Sequence, residues 1–381
     1  MTDHFDVIVA GVGSMGASSC YELAKSGLSV LGLESRTIIN DDASHSGQTR
    51  ILRKAYFEHP DYVPLLKSAY HGWDALEQET GKQFYHPVGL AYLGKKDHPL
   101  LQSVKASSAQ YDLSLKQLNQ KNVRALLPDF AIPPQYESIM EPEAGLVCTD
   151  QVIAAYCDLA RNHGVTLKEH ESVQSWEMKK NQVIVSTSKT AYTCDKLILT
   201  SGSGMAQLLP KGMPPLKVTR QLITWVKPKN IANLTLGKLP CWVLARDDEK
   251  GIFYGFPMLP ASYGGHAGLK VAHHYPGEVI DELTDEALVI EKQKIEAMMQ
   301  EYMPEVFDGF LDVSSCLYTY SPDDHFVIDF IPDTDQRVVA AAGFSGHGFK
   351  FVPVMGEVLR DLAVAGKTEH PVSFLKADRD L

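Results

Sequence analysis

Three glycines, Gly11, Gly13 and Gly16, stand between a short candidate strand at residues 5–10, apolar from Val7 on, and a helical stretch at residues 17–25. Strand, glycine turn and helix in that order predict a βαβ unit. Its glycines permit a tight turn, let a pyrophosphate approach the helix N-terminus and let the helix pack closely on the strand. Ser14 and Met15 belong to the same loop, Gly27 suits a helix C-cap, and a second strand at residues 30–33 ends at Glu34. A carboxylate there accepts hydrogen bonds from ribose hydroxyls and repels a 2′-phosphate, so FAD or NAD is implied and NADP is not.

A chain of 381 residues is expected to form about two domains. After the βαβ unit the pattern changes: an aromatic-rich strand at 87–93 leads into polar helical stretches, and helical periodicity resumes at 152–159. A strand-then-turn signature follows at 190–204. Four candidate strands at 221–226, 241–245, 251–255 and 268–273 suggest an antiparallel sheet. A helix at 285–302, a strand at 338–342 and a helix at about 351–363 return to α/β character. The expected fold class is therefore α/β, with a discontinuous Rossmann-like domain (1–81, 146–217 and 317–381) interrupted by a mainly antiparallel β-sheet substrate domain (82–145 and 218–316).

Lys and Arg number 36 against 47 Asp and Glu, a net charge of −11, which argues against nucleic acid or an anionic membrane as partner. The apolar runs fall far short of the roughly 20 residues of a spanning helix. Acidic Asp3 and Asp6 where a secretory leader would be basic, with no terminal address, lead us to expect a cytoplasmic protein. Six cysteines without a C-x-x-C pair indicate neither zinc nor a disulfide framework.

Several local patterns stay open on residues alone. Arg50, Arg53 and Lys54 put three cations within five residues, either a solvated basic turn or a holder of an anionic group. The turn Gly343-Phe-Ser-Gly346-His347-Gly348-Phe-Lys350 either merely packs or turns backbone N–H groups and Lys350 toward an anion. It lacks the final glycine of a hydrolase elbow, and Gly366-Lys367-Thr368 has Asp361 where a P-loop needs glycine. In the strand Gly268-Leu-Lys270-Val-Ala-His273-His274, Lys270 and His274 share one face and His273 takes the other. Lys270 is then a snorkelling edge residue or a functional cation. Opposite faces disfavour joint metal ligation by the histidine pair, and no metal is expected. Asn233-Leu-Thr235 is a sequon without a secretory context, and Cys316 by itself reads as a small buried hydrophobe.

The glycine fingerprint, Ser44-His-Ser-Gly-Gln-Thr49-Arg50-Ile-Leu-Arg53-Lys-Ala-Tyr56, Tyr254-Gly-Phe-Pro257, Gly268-Leu-Lys270, Cys316-Leu-Tyr-Thr319 with Asp324-His-Phe-Val-Ile-Asp329, and the Gly343–Lys350 turn together resemble one family nearly end to end. It is the monomeric sarcosine oxidase family of flavin amine oxidases, which also includes N-methyltryptophan oxidase and peroxisomal pipecolate/sarcosine oxidase. The resemblance implies FAD held through a cysteine thioether, at Cys316 in the matching segment. It assigns Arg53 and Lys350 to the substrate carboxylate, Arg50 to the flavin surroundings, and Lys270 to oxygen reduction through a water at the flavin. Tyr254 and His274 fall around the substrate, Ser44 and Thr49 with the cofactor, Gly346, His347 and Gly348 against the ring, and Val173 beside the adenosine.

The activity implied is oxidation of a secondary amino acid, sarcosine or another N-methyl amino acid, to an imine. Oxygen becomes hydrogen peroxide, and the imine hydrolyses to an aldehyde and an amino acid. The family also implies a monomer. Phe57-Glu58-His59-Pro60 replaces a more glycine-rich loop, Gly202-Ser-Gly204 lacks a common tryptophan, and His273 replaces a common aromatic residue. Those departures leave substrate size open, and Arg53-Lys-Ala-Tyr56, which resembles the pipecolate branch more than the sarcosine branch, keeps cyclic imino acids open. A flavin dehydrogenase or tailoring enzyme that does not use oxygen, and a flavin-holding binding protein, are the remaining alternatives.

Overall fold

The computed structural model describes residues 3–274 and 285–379. The strand His4–Ala10 lies between Val30–Leu33 and Ala191–Leu199 and runs parallel to both. Along it, Val7 and Val9 enter one apolar cluster while Ile8 and Ala10 enter another, so the strand is buried on two faces. That explains why its second half, Val7 to Ala10, is uniformly apolar instead of alternating. The helices Ser14–Lys25, Tyr62–Thr80, Thr149–Asn162 and Val352–Ala365 contribute to the first cluster.

Ala191–Leu199 has two neighbours along one edge. Its first half pairs antiparallel with Gln182–Thr187, and its second half pairs parallel with Val338–Ala342. The late strand thus enters the same sheet as the first one, as a discontinuous α/β unit requires. Thr166–Lys168 extends the other end beside Val30–Leu33.

A second eight-stranded sheet is antiparallel except where Cys241–Leu244 runs parallel to Leu90–Lys95. The strand Leu269–His274 lies inside it, between Lys217–Pro228 and Ile252–Gly255. Lys270 is therefore no edge residue, and at 4% exposure it does not snorkel. Its alternation is as expected: His273 turns to the opposite side, where its ring stacks on Phe253 at 4.4 Å and bonds Glu291 and the Lys250 carbonyl. The helix Asp285–Tyr302 covers this side with Ile295, Met298 and Met299.

A small third sheet joins Thr49–Leu52, Tyr85–His86 and Gly145–Cys148. The solvated basic turn is corrected here: Arg50 sits on a strand and Arg53 is 4% exposed just beyond it. The aromatic strand expected at 87–93 occupies Leu90–Lys95 instead, because Gly89 adopts φ +80° and bonds the Ala144 carbonyl before pairing begins. Among the described residues, no helix is long and apolar enough to cross a membrane.

Candidate functional site

Close packing shapes the glycine loop. Gly11 adopts φ +95°, and a Cβ on Gly16 would stand 1.9 Å from the Gly11 carbonyl oxygen. The helix can approach the strand only without that atom. Gly16 therefore lies beneath the cleft that opens here, while Gly11, Gly13, Ser14 and Met15 line it. No side chain caps the helix at Gly13, which leaves its first-turn N–H groups for an anion. Glu34 accepts from Val12 N–H at 3.0 Å and from Arg36 N–H at 3.2 Å, so its carboxylate braces the loop and still borders the cleft.

The cleft runs from Glu34, Arg36 and Val173 past Ser44, Gly346, His347 and Gly348 to Tyr254 and His274. The uncapped helix and the glycine walls suit FAD. Two polar groups on its lining point the same way: His45 Nε2 and Thr319 Oγ1 are buried without a hydrogen-bond partner among the described residues. Burial and neighbouring Arg50 push the His45 pKa down to about 3, so its ring is neutral at ordinary pH. Gly346, at φ +77°, would bring a Cβ within 2.2 Å of the Tyr318 ring, so backbone and phenol pack too closely there for any side chain.

The far end is cationic. Arg53 Nη2 lies 2.6 Å from both Glu58 carboxylate oxygens, and the guanidinium stacks on Phe57 at 3.8 Å and on Tyr56 at 4.3 Å. Arg53 and other cations hold the Glu58 carboxyl down to about 2 despite burial. Lys350 donates to the His347 carbonyl at 2.8 Å. Burial and then Arg53 lower its pKa to about 7. His347 Nε2 donates to the Asp324 carbonyl at 3.0 Å, which leaves Nδ1 to accept from Tyr56 Oη at 2.5 Å. Its side chain thus braces the turn at the cleft wall.

Arg50 donates to the carbonyls of Ser44, Ser46 and Thr49, each at 2.8 Å, and borders the cleft midway. Lys270 lies behind this wall, as does Thr49. Its ammonium donates to the Gly47 carbonyl, the Thr49 carbonyl at 2.9 Å and Thr49 Oγ1 at 3.2 Å. Three acceptors match its three protons, although burial and Arg50 pull its pKa down. Cys316 is buried on Phe307–Tyr320 opposite Gln221, next to Leu317, Tyr318 and Thr319 of the cleft wall. Burial raises its thiol pKa, while Arg50 and Lys270 draw it back down.

His274 approaches Tyr318 Oη at 3.4 Å, and burial lowers its pKa to about 4. Tyr254 borders the same space, its phenol pushed up to about 12 by burial. Tyr318 and Glu58 were not singled out from the sequence. Tyr318 could have been found by alternation, since it is two residues beyond Cys316 on the same strand face. Glu58 had only its place in a divergent loop as a signal. Among the described residues no group of three or more His, Cys, Asp or Glu could hold a metal ion.

Residues 6–362 match the model of the FAD dependent oxidoreductase family. The chain is 35% identical over 387 aligned residues to the monomeric sarcosine oxidase of Bacillus sp. (strain NS-129), covering 100% of this chain and 98% of that protein. It is 30% identical over 358 residues to the N-methyl-L-tryptophan oxidase of Yersinia pestis (strain Pestoides F), covering 93% of each. The solved open form of NikD, an unusual amino acid oxidase essential for nikkomycin biosynthesis, has the same fold. It superposes with a TM-score of 0.87 at 24% identity, covering 99% of this chain and 98% of that one.

Lys350 should make anion binding pH-dependent. Charged ammonium is present below about 7 and lost above it, whereas Glu58 stays ionised throughout. Calorimetric affinity for acetate is expected to weaken as pH rises from about 6 to about 9, and Lys350→Met should flatten that profile. An unchanged wild-type profile would remove Lys350 from the anion site.

Proposed function

We propose, for a chain that belongs to the monomeric sarcosine oxidase and N-methyltryptophan oxidase family of FAD-dependent oxidoreductases, that it oxidises a secondary amino acid to its imine. Sarcosine or another N-methyl amino acid is the favoured substrate, with hydrogen peroxide formed from oxygen and the imine hydrolysed to an aldehyde and an amino acid. The reading is carried by two buried cations, Arg53 and Lys350, that share one cleft with a dinucleotide-type loop.

FAD, when bound, accepts a hydride equivalent from the carbon beside the amine nitrogen and passes two electrons to oxygen. The chain's residues would hold it at both ends: the loop around Gly11, Gly13, Ser14 and Met15 with Glu34, and the turn Gly346 to Gly348. Arg53 and Lys350 pair with the substrate carboxylate and fix its orientation. His274 stays neutral beside Tyr254 and Tyr318, so the amine can lose its proton without a third positive charge next to it. Arg50 and Lys270 keep positive charge in a region with little water, where it stabilises an anion strongly. They also offset part of the burial that raises the Cys316 thiol, whose thiolate a thioether would need.

Cyclic imino acids are the second reading, favoured by Phe57. Its ring lines the cleft against Arg53, where it offers an apolar wall to a compact ring.

Peroxide release measured with sarcosine, N-methyltryptophan, proline and pipecolate should be greatest with an N-methyl amino acid. No peroxide and no anaerobic bleaching with any of them would sink the assignment, and a preference for pipecolate would select the second reading. Acid precipitation should give a yellow pellet that Cys316→Ala renders colourless; a colourless wild-type pellet rules out the tether. In Lys270→Met, oxygen uptake by the reduced enzyme should slow by at least about tenfold more than anaerobic reduction by substrate, and equal slowing would refute that role.

A further inference from the structure

Arg53 is held from behind as well as from the cleft. Its Nη1 donates to the Ala55 carbonyl at 3.1 Å. The Glu141 carboxylate fixes the backbone leading to that carbonyl: Oε1 accepts from Lys54 N–H at 2.6 Å and Ala55 N–H at 3.1 Å, and Oε2 accepts from Tyr92 Oη at 2.7 Å. Tyr92 Oη also lies 3.3 Å from the Ala55 carbonyl, but its single proton goes to the nearer carboxylate, which leaves that carbonyl for the guanidinium. Glu141 is 2% exposed and Tyr92 0%. Neighbouring strands of the large sheet present them, Leu90–Lys95 and Tyr136–Glu141.

A carboxylate removed from water at this depth is costly unless its bonds are complete. Here all three go to the two peptide N–H groups following Arg53 and to the phenol beside the peptide it rests on. We propose that Glu141 and Tyr92 are positioning residues that aim Arg53 at the substrate carboxylate by locking the Lys54–Ala55 backbone. The inference rests on Arg53 being the carboxylate-binding cation.

The test uses the flavin-containing enzyme with an accepted N-methyl amino acid and, separately, acetate as a binding probe. Tyr92→Phe and Glu141→Ala should raise KM and the acetate Kd about fivefold or more while kcat stays within about twofold. Glu141→Gln retains an acceptor for both N–H groups and should recover most of the loss seen in Glu141→Ala. Arg53→Lys separates the two layers. If it raises KM but Tyr92→Phe leaves KM and Kd unchanged, or lowers only thermal stability, the positioning role is overturned and the clamp stands. If Arg53→Lys leaves KM and Kd unchanged, the clamp fails and the positioning role falls with it. Should Glu141→Ala not fold, Tyr92→Phe, which removes one hydroxyl, still decides.

Discussion

Positive charge held by neutral partners organises this molecule. Arg50 is bonded to three backbone carbonyls, Lys270 to two carbonyls and a hydroxyl, and Lys350 to one carbonyl. Carbonyl oxygens satisfy the N–H donors but leave the net charge uncancelled. Among the described residues only Arg53, of the four, is ion-paired to a carboxylate, and Glu58 sits at the cleft. A chain of net charge −11 therefore encloses a local region of the opposite sign, which whole-chain electrostatics conceals.

The folding pattern serves that concentration of charge. The small three-stranded sheet carries Arg50, the interior of the large sheet carries Lys270, and the turn after the late parallel strand carries Lys350. Each cation is desolvated by a different element, so none depends on a flexible surface chain for its place. The tightly packed glycines supply the complementary requirement, because backbone can approach a ligand where a side chain would block it.

Much of this was legible in the residues. The βαβ unit follows from glycine spacing and an apolar run, and the side that Lys270 takes follows from strand alternation. What lay beyond reading was register. Cys316 faces Gln221 only because a 12-residue strand pairs with a 14-residue strand across nearly a hundred positions, and no local pattern encodes that alignment. Glu58 stands in a divergent loop, and nothing in the local sequence marks Glu141. Their significance comes from long-range partners, Arg53 for the one and the peptide following it for the other. Thr49–Leu52 was likewise hidden, since its partner strand is almost a hundred residues away.

The pairing of Val338–Ala342 with Ala191–Leu199 bears on how the protein is made. A ribosome emits the glycine fingerprint more than 300 residues before the strand that completes the sheet and the lysine that follows it. Until then the early half exposes an unfinished parallel edge. The cleft is therefore walled only when segments far apart in synthesis have met.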